Sequence, residues 1–185
     1  MFFDVGANVG FYSLLGSKIA GPRGVVVAFE PFPRNLSFLW RHLDLNRARN
    51  VTILPMACAE RDALERFIAG ENHALGRLAG EIAADSGRAP GTRISTITLD
   101  SAVARLQLQP DVVKIDVEGA ELRVLAGAET LLAQTRPAIL LSTHSDALRT
   151  ACLRLLAEKD YVVRPLNSAA PDTATEFLAE PRTQA

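Results

Sequence analysis

The sequence predicts an α/β protein, a mostly parallel sheet with helices on both faces. Three observations predict it. Short apolar runs alternate with segments whose apolar residues recur at helical spacing along the 185 residues, the pattern of strand–helix–strand units. One run, VVVAFE (25–30), is apolar almost throughout, as strands buried on both faces are. A glycine-bearing turn, FDVGANVGFYS (3–13), leads from the first apolar run into the first helical segment, and such a turn commonly marks a ligand site.

The elements follow in order. MFFDV (1–5) reads as a short strand, followed by a helix over residues 9–20 with Phe11, Leu14, Leu15 and Ile19 on its apolar face. GPRG (21–24) stops it, and VVVAFE is the second strand. Leu36, Leu39, Trp40 and Leu43 sit at i, i+3, i+4 and i+7, which makes residues 34–46 an amphipathic helix. VTILPMA (51–57) is the third strand. Alternation then pauses between residues 60 and 99. LERFIAG (64–70) and TRISTITL (92–99) read as an additional strand pair joined by a flexible flap. A short helix over 100–107, capped by Thr98 or Asp100, leads to the strand VVKIDV (112–117). A helix over 120–133, the strand AILLST (138–143) and a helix capped by Ser145 come next. YVVRPL (161–166) and TEFLA (175–179) finish the sheet.

Composition narrows the function classes. The length suits one domain over 1–185, and a formal charge of −1 gives no basic excess for nucleic acid. Arg41, His42, Arg47 and Arg49 read as a solvated helix face and its exit loop. Cys58 and Cys152 have neither metal nor redox spacing and read as small fillers of the fold. Apolar runs are too short to span a membrane and no signal peptide opens the chain. A cytoplasmic location is the default expectation.

In open sheets of this kind, ligands bind beyond the carboxyl ends of the strands where the strand order reverses. With the first strand central, Asp4, Gly6, Asn8, Gly10, Asp116 and Glu118 converge on one cleft. Gly6 and Gly10 allow a tight turn and close approach of main chain to ligand. A dinucleotide turn wants glycine where Asn8 stands, and Asp4 precedes the turn, so a cationic ligand suits it better than a diphosphate. Glu30 ends the second strand 20 residues beyond Gly10, where an acid accepts hydrogen bonds from ribose hydroxyls. Phe32 follows in the loop, to offer a ring to a purine or to serve ordinary loop packing; Asn35 caps or ties the next helix.

KIDVEGAE (114–121) brings Asp116 and Glu118 to the cleft mouth, to orient a hydroxyl, bind a donor's amino group or share a metal. Glu121 reads as electrostatic support for the N-terminus of the next helix. His144, in STHS after the strand over 138–143, stands near the same crevice as a possible base. Asp116 and Glu118 could also serve a metal, but two acids without a clear third ligand make a weak metal signal, and no metal ligands are assigned.

FDVGANVGFYS, AFEPFPRN, TITLD, VVKIDVEGAELRVLAG and the strand before His144 occur in the order and spacing of the FkbM family. These are S-adenosylmethionine-dependent methyltransferases with the class I, Rossmann-like fold. The resemblance implies a seven-stranded sheet with its last strand antiparallel. It also implies that Asp4, Gly6, Ala7, Asn8 and Gly10 wrap the methionine part of the cofactor, with Glu30 on its ribose. Asp116 and Glu118 would stand near donor and acceptor, with Asp116 and His144 as proton acceptors. The implied acceptor is a small hydroxylated molecule, a sugar or secondary metabolite. Ser142 stands where relatives often carry an acid two residues before the histidine, which weakens a carboxylate-assisted base at His144. The chain also starts inside the motif, so N-terminal lid elements are expected to be absent, and a dimer is one way to cover the cleft. The rivals are a non-catalytic cofactor- or partner-binding module and, further off, a nicotinamide-dependent oxidoreductase.

Overall fold

The structure, a computed structural model, describes residues 1–69, 76–78, 92–167 and 173–183. The seven-stranded sheet runs β10-β11-β9-β8-β1-β2-β3. Its strands are β1 (Phe2–Val5), β2 (Val26–Phe29), β3 (Val51–Leu54), β8 (Val112–Ile115), β9 (Ala138–Ser142), β10 (Tyr161–Pro165) and β11 (Glu176–Pro181). β1 is central, parallel to β2 on one side and β8 on the other. Only β11 runs antiparallel to its neighbours in this sheet, so the mixed, mostly parallel Rossmann-like expectation holds.

Burial explains the strand sequences. Phe3, Val5, Val27, Phe29, Val113, Ile115, Ile139 and Leu141 form the centre of the core, with helices covering both faces. α2 (Pro33–Leu45) seals one face through Leu39 and Leu43. α3 (Leu99–Leu106), α4 (Glu121–Ala126) and α5 (Asp146–Glu158) pack Ala102, Val124, Leu125, Cys152 and Leu156 into the other cluster. Cys58 and Cys152 are both buried and free. No described helix is long and apolar enough to cross a membrane.

Three elements differ from the sequence-based expectation. In α1 (Phe11–Ala20) the buried side chains are Ser13 and Ser17, while Phe11 and Ile19 are 69% and 77% exposed. The inward face is chosen by specific contacts. Ser13 donates to Asp4, Ser17 donates to Asn50, and Gly16 lies so close that a Cβ there would meet the Phe2 ring at 2.3 Å. Small residues let the helix settle on the sheet; Leu14 still packs against the Leu39 cluster, while Phe11, Leu15 and Ile19 turn outward. Trp40 in α2 is likewise exposed, because the buried row runs through Asn35, Leu39 and Leu43.

The helix expected over 120–133 is broken. α4 stops before Gly127, where any Cβ would stand 2.1 Å from the Ala59 carbonyl oxygen, and the chain continues into a π turn over Leu131–Thr135. Asp100 does not cap α3; Thr98 does, accepting from Ser101 N at 2.9 Å. Asp100 instead accepts the amides of Thr130 and Leu131, each at 2.8 Å, and so ties α3 to that turn.

The additional strand pair is part of a second, four-stranded sheet, β4-β7-β5-β6. β5 (Ala63–Ala69) and β7 (Thr92–Ile97) pair antiparallel as expected, flanked by β4 (Ala57–Cys58) and β6 (Gly76–Leu78). The third strand expected over 51–57 therefore divides, its end joining the small sheet. Apart from residues 76–78, the flap between β5 and β7 lies outside the described residues.

Arg123 of α4 fastens this sheet to the main body. Its guanidinium donates to Glu60 at 3.0 Å and to both oxygens of Glu65 at 2.7 and 2.8 Å. Burial acts to raise the Glu60 carboxyl, but hydrogen bonding and charge from Arg123 outweigh it and hold the group below its ordinary value of 4.5. A depressed carboxyl stabilises the fold above that value and loses its contribution as pH falls through the folded-state value. Glu60→Gln is therefore expected to lower the melting temperature at neutral pH. Its gap to the wild type should close as pH drops below 4.5; a gap independent of pH would contradict this account.

Candidate functional site

The carboxyl ends of β1, β2 and β8 open onto one cavity of about 250 Å³. Gly6, Asn8, Glu30, Lys114, Asp116 and Glu118 contribute its polar chemistry. Phe29, Pro31, Cys58 and Phe67 add an apolar wall.

The turn after β1 is built by main-chain contacts. The amides of Gly6 and Ala7 both donate to the Phe29 carbonyl, at 3.0 and 2.9 Å. Gly6 has φ +82°, and a Cβ there would lie 1.9 Å from the main-chain oxygen of Asp116. Only glycine fits this crossing. Gly10, at φ +94°, serves packing instead: a Cβ would strike Leu39 Cδ1 at 2.4 Å, and the residue does not line the cavity.

Asp4 lies beneath the turn and not in the cavity wall. It is fully buried, its Oδ2 accepts the Ser13 hydroxyl at 2.6 Å, and Lys114 Nζ stands 3.7 Å from Oδ1. Burial raises its carboxyl above the usual carboxylate range, and Lys114 offsets this only in part. Lys114 also donates to Asp116 Oδ2 at 3.3 Å and sits 4.6 Å over the Tyr12 ring. A lysine interrupting the apolar run VVKIDV was the sequence signal for this residue.

Glu30 closes the turn. Its Oε2 accepts the Asn8 amide at 2.8 Å, and its Oε1 accepts the Phe32 amide at 2.9 Å and the Asn35 side chain at 3.3 Å. Asn35 thus ties rather than caps the helix. Burial raises the Glu30 carboxyl, opposed by those hydrogen bonds. Oε1 thus takes two donors, whereas Oε2 takes one and keeps a second lone-pair direction for a ligand. Phe32 does not line the cavity; its ring packs on Phe67, with centroids 5.6 Å apart. The aromatic side chain that reaches the cavity from this pair is Phe67 of β5, which no sequence pattern had singled out.

Beyond β8 the structure gathers the acids with His144. His144 Nε2 lies 3.6 Å from Asp116 Oδ1 and 3.4 Å from Glu118 Oε2. Its Nδ1 lies 2.6 Å from Glu121 Oε1, which also accepts the Gly119 amide at 2.9 Å. Glu121 is fully buried. Its role exceeds the helix-terminal support expected for it: it supplies the carboxylate partner that Ser142 does not. Burial works to raise the Glu121 carboxyl, but His144 and the Gly119 amide outweigh it and leave the group lowered. The bond to Glu121 raises the His144 imidazole above its ordinary range, against a smaller effect of burial, with Glu118 and Asp116 adding to the rise.

With this geometry in hand, similarity to known proteins can be placed. The model of a family described as the methyltransferase FkbM domain matches residues 4–163. The chain is 33% identical over 172 residues to the AMB antimetabolite synthetase AmbE of Pseudomonas aeruginosa, covering 74% of this chain and 8% of that protein. Among solved structures, a methyltransferase FkbM from Methylobacillus flagellatus superposes with TM-score 0.62 at 22% identity, over 97% of this chain and 42% of that one. Fibrillarin from Aeropyrum pernix, solved with natively bound S-adenosyl-L-methionine, gives TM-score 0.56 at 14% identity, over 96% and 64% of the two chains. At such identities the structures share the fold. The chain thus spans a small part of AmbE and under half of the Methylobacillus protein.

Gly6→Ala tests the crossing on which the site is built. The substitution combines a positive φ with a Cβ 1.9 Å from a carbonyl oxygen, and should destabilise the fold by about 2–4 kcal/mol in chemical denaturation. Gly119 also has positive φ, +103°, but a Cβ there meets nothing within 4 Å, so Gly119→Ala should cost less. Equal costs for the two variants would remove the steric argument.

Proposed function

The chain belongs to the family of methyltransferase FkbM domains, and from that premise we propose that it transfers a methyl group from S-adenosylmethionine to a hydroxyl of a small acceptor, a sugar or a secondary metabolite. The observation that carries the reading is the meeting of Glu30, Asp116 and Glu118, from the ends of two strands flanking β1, at one cavity.

The lining chemistry fits the donor. Glu30 offers the remaining lone-pair direction of Oε2 to a ribose hydroxyl. Asp116 and Glu118 suit the cationic ammonium and sulfonium, and Phe29, Pro31 and Phe67 provide a dry wall for a flat base. Gly6, Ala7 and Asn8 line the turn side of the cavity and hold the methionine part, with Asp4 acting from below by fixing α1 and Lys114. Bound S-adenosylmethionine supplies an activated methyl group, so the protein's task is alignment, exclusion of water and removal of the acceptor's proton. The nearness of His144 Nε2 to Asp116 supports assigning that proton to His144, with Asp116 beside it. The Glu121 contact orients the ring and turns Nε2 toward the acids. AmbE's name as an antimetabolite synthetase supports a secondary-metabolite acceptor over a macromolecule.

Calorimetric titration with S-adenosylmethionine, S-adenosylhomocysteine and NAD tests the reading. Both sulfur compounds should bind and NAD should not; failure of both to bind would sink it. Binding without transfer to any of a panel of hydroxylated acceptors would instead indicate a non-catalytic module. Glu30→Ala should weaken S-adenosylhomocysteine binding by about 1–3 kcal/mol, roughly 5- to 150-fold. An unchanged affinity would remove Glu30 from the ribose.

A further inference from the structure

We propose that Asp116, Glu118 and His144 hold a divalent cation of the manganese class at the mouth of the cavity, where it ligates the acceptor's hydroxyl. Its role rests on the methyl-transfer reading above; its geometry does not.

The three side chains each bring one ligand atom, and these atoms all lie within 4.8 Å of one another. The Nε2 to carboxylate separations of 3.4 and 3.6 Å are close to those of neighbouring ligands on one metal. Ligands about 2.1 Å from an ion and at right angles stand roughly 3 Å apart, so small side-chain adjustments close the set. Three ligands on one face leave the opposite face to water and the acceptor.

The surroundings prepare each ligand separately. Asp116 turns Oδ2 to Lys114 and Oδ1 to His144, so its two oxygens have different partners. With Glu121 as acceptor, His144 carries a hydrogen on Nδ1, and in the neutral ring Nε2 keeps its lone pair facing the acids. A ligating histidine characteristically donates its other N–H to a carboxylate. Glu121 is fully buried, and its Oε2 has no hydrogen-bond partner among the described residues. A buried carboxylate with one unsatisfied oxygen behind the imidazole is a charge that a cation in front of the imidazole offsets. Asp4, Asp116, Glu118 and Glu121 also outnumber Lys114 here, so the local field favours a cation.

Two carboxylate oxygens with one imidazole nitrogen suit Mn²⁺. Mg²⁺ favours an all-oxygen shell, and the softer Zn²⁺ favours more nitrogen or sulfur. Asp116 and Glu118 line the cavity, so the ion faces the transfer. A hydroxyl on its open side becomes more acidic. The O–H proton passes to water, the oxygen forms the new O–C bond, and the C–S electron pair stays on sulfur as the sulfonium becomes a thioether. With the ion bound His144 is a ligand, and water takes the proton that the metal-free site would pass to His144.

The test uses the full chain, stripped with EDTA and free of any methyl donor, titrated with MnCl₂ while free Mn²⁺ is followed by electron paramagnetic resonance. One saturable site per chain is expected. Asp116→Asn and His144→Ala should abolish it, and Glu121→Gln, which leaves the ligands and frees the ring, should weaken it roughly 10- to 100-fold. Glu129→Gln, at an exposed acid on Lys159, should bind as the wild type. Absence of saturable binding, preference for Zn²⁺ alone, or unchanged binding by the ligand variants would overturn the proposal. S-adenosylhomocysteine titration of the same metal-free samples checks folding and separates the two readings. Mn²⁺ binding by wild type that binds neither S-adenosylhomocysteine nor S-adenosylmethionine sinks the donor reading alone, and binding of either without Mn²⁺ sinks the cation alone.

Discussion

The site depends on one crossing of main chains: the turn at Gly6 lying directly against the carbonyl of Asp116. Parallel pairing of β1 with β8, in which Asp4 stands opposite Lys114 and Val5 opposite Ile115, brings the two strand ends level. The Asp116 amide then donates to the Val5 carbonyl at 3.0 Å, and the Gly6 amide donates to Phe29 at 3.0 Å. Three strands are thus stitched together one residue past their ends. Any side chain at Gly6 would push β1 away from β8 and separate the turn from the acids.

Around that crossing charged groups stand in compensating sets, buried at Asp4, Lys114 and Glu121 and part-exposed at Asp116, Glu118 and His144. Lys114 is almost wholly enclosed and lies between Asp4 and Asp116, while Tyr12 covers its far side. His144 lies between Glu121 behind and Asp116 and Glu118 in front. Low dielectric makes the buried charges of Asp4, Lys114 and Glu121 costly when alone and strongly directing when paired. Asp116 belongs to both sets and couples the floor of the turn to the mouth of the cavity. Glu30 does the same on the other side, closing the turn through Asn8 while facing the cavity.

The small sheet contributes more than a strand pair inserted in a loop. Phe67 brings its β5 side chain to the cavity and packs on Phe32, and Arg123 fixes the same strand to α4. Since α4 also carries Glu121, the segment over which alternation paused is joined to the helix that orients His144. The chemistry at the end of β8 and the wall of the cavity are therefore held by one connected set of contacts.

The sequence by itself determined the fold class, the central place of β1 and, of the six residues expected at one cleft, the convergence of Gly6, Asn8, Asp116 and Glu118. These are consequences of local pattern: apolar runs pair as buried strands, and motifs at strand ends share an edge. Tertiary structure decided which neighbours each of those residues serves. It placed Asp4 and Gly10 in supporting roles, turned Phe32 onto Phe67, and set Ser13 and Gly16 inward where the apolar spacing of α1 had indicated Phe11 and Ile19. It also joined Glu121 to His144, 23 residues apart, where the sequence showed only a helix-terminal acid and a lone histidine. Side-chain periodicity reports which face is apolar, but not how closely two backbones approach or which buried acid a distant ring meets. Those are settled by packing.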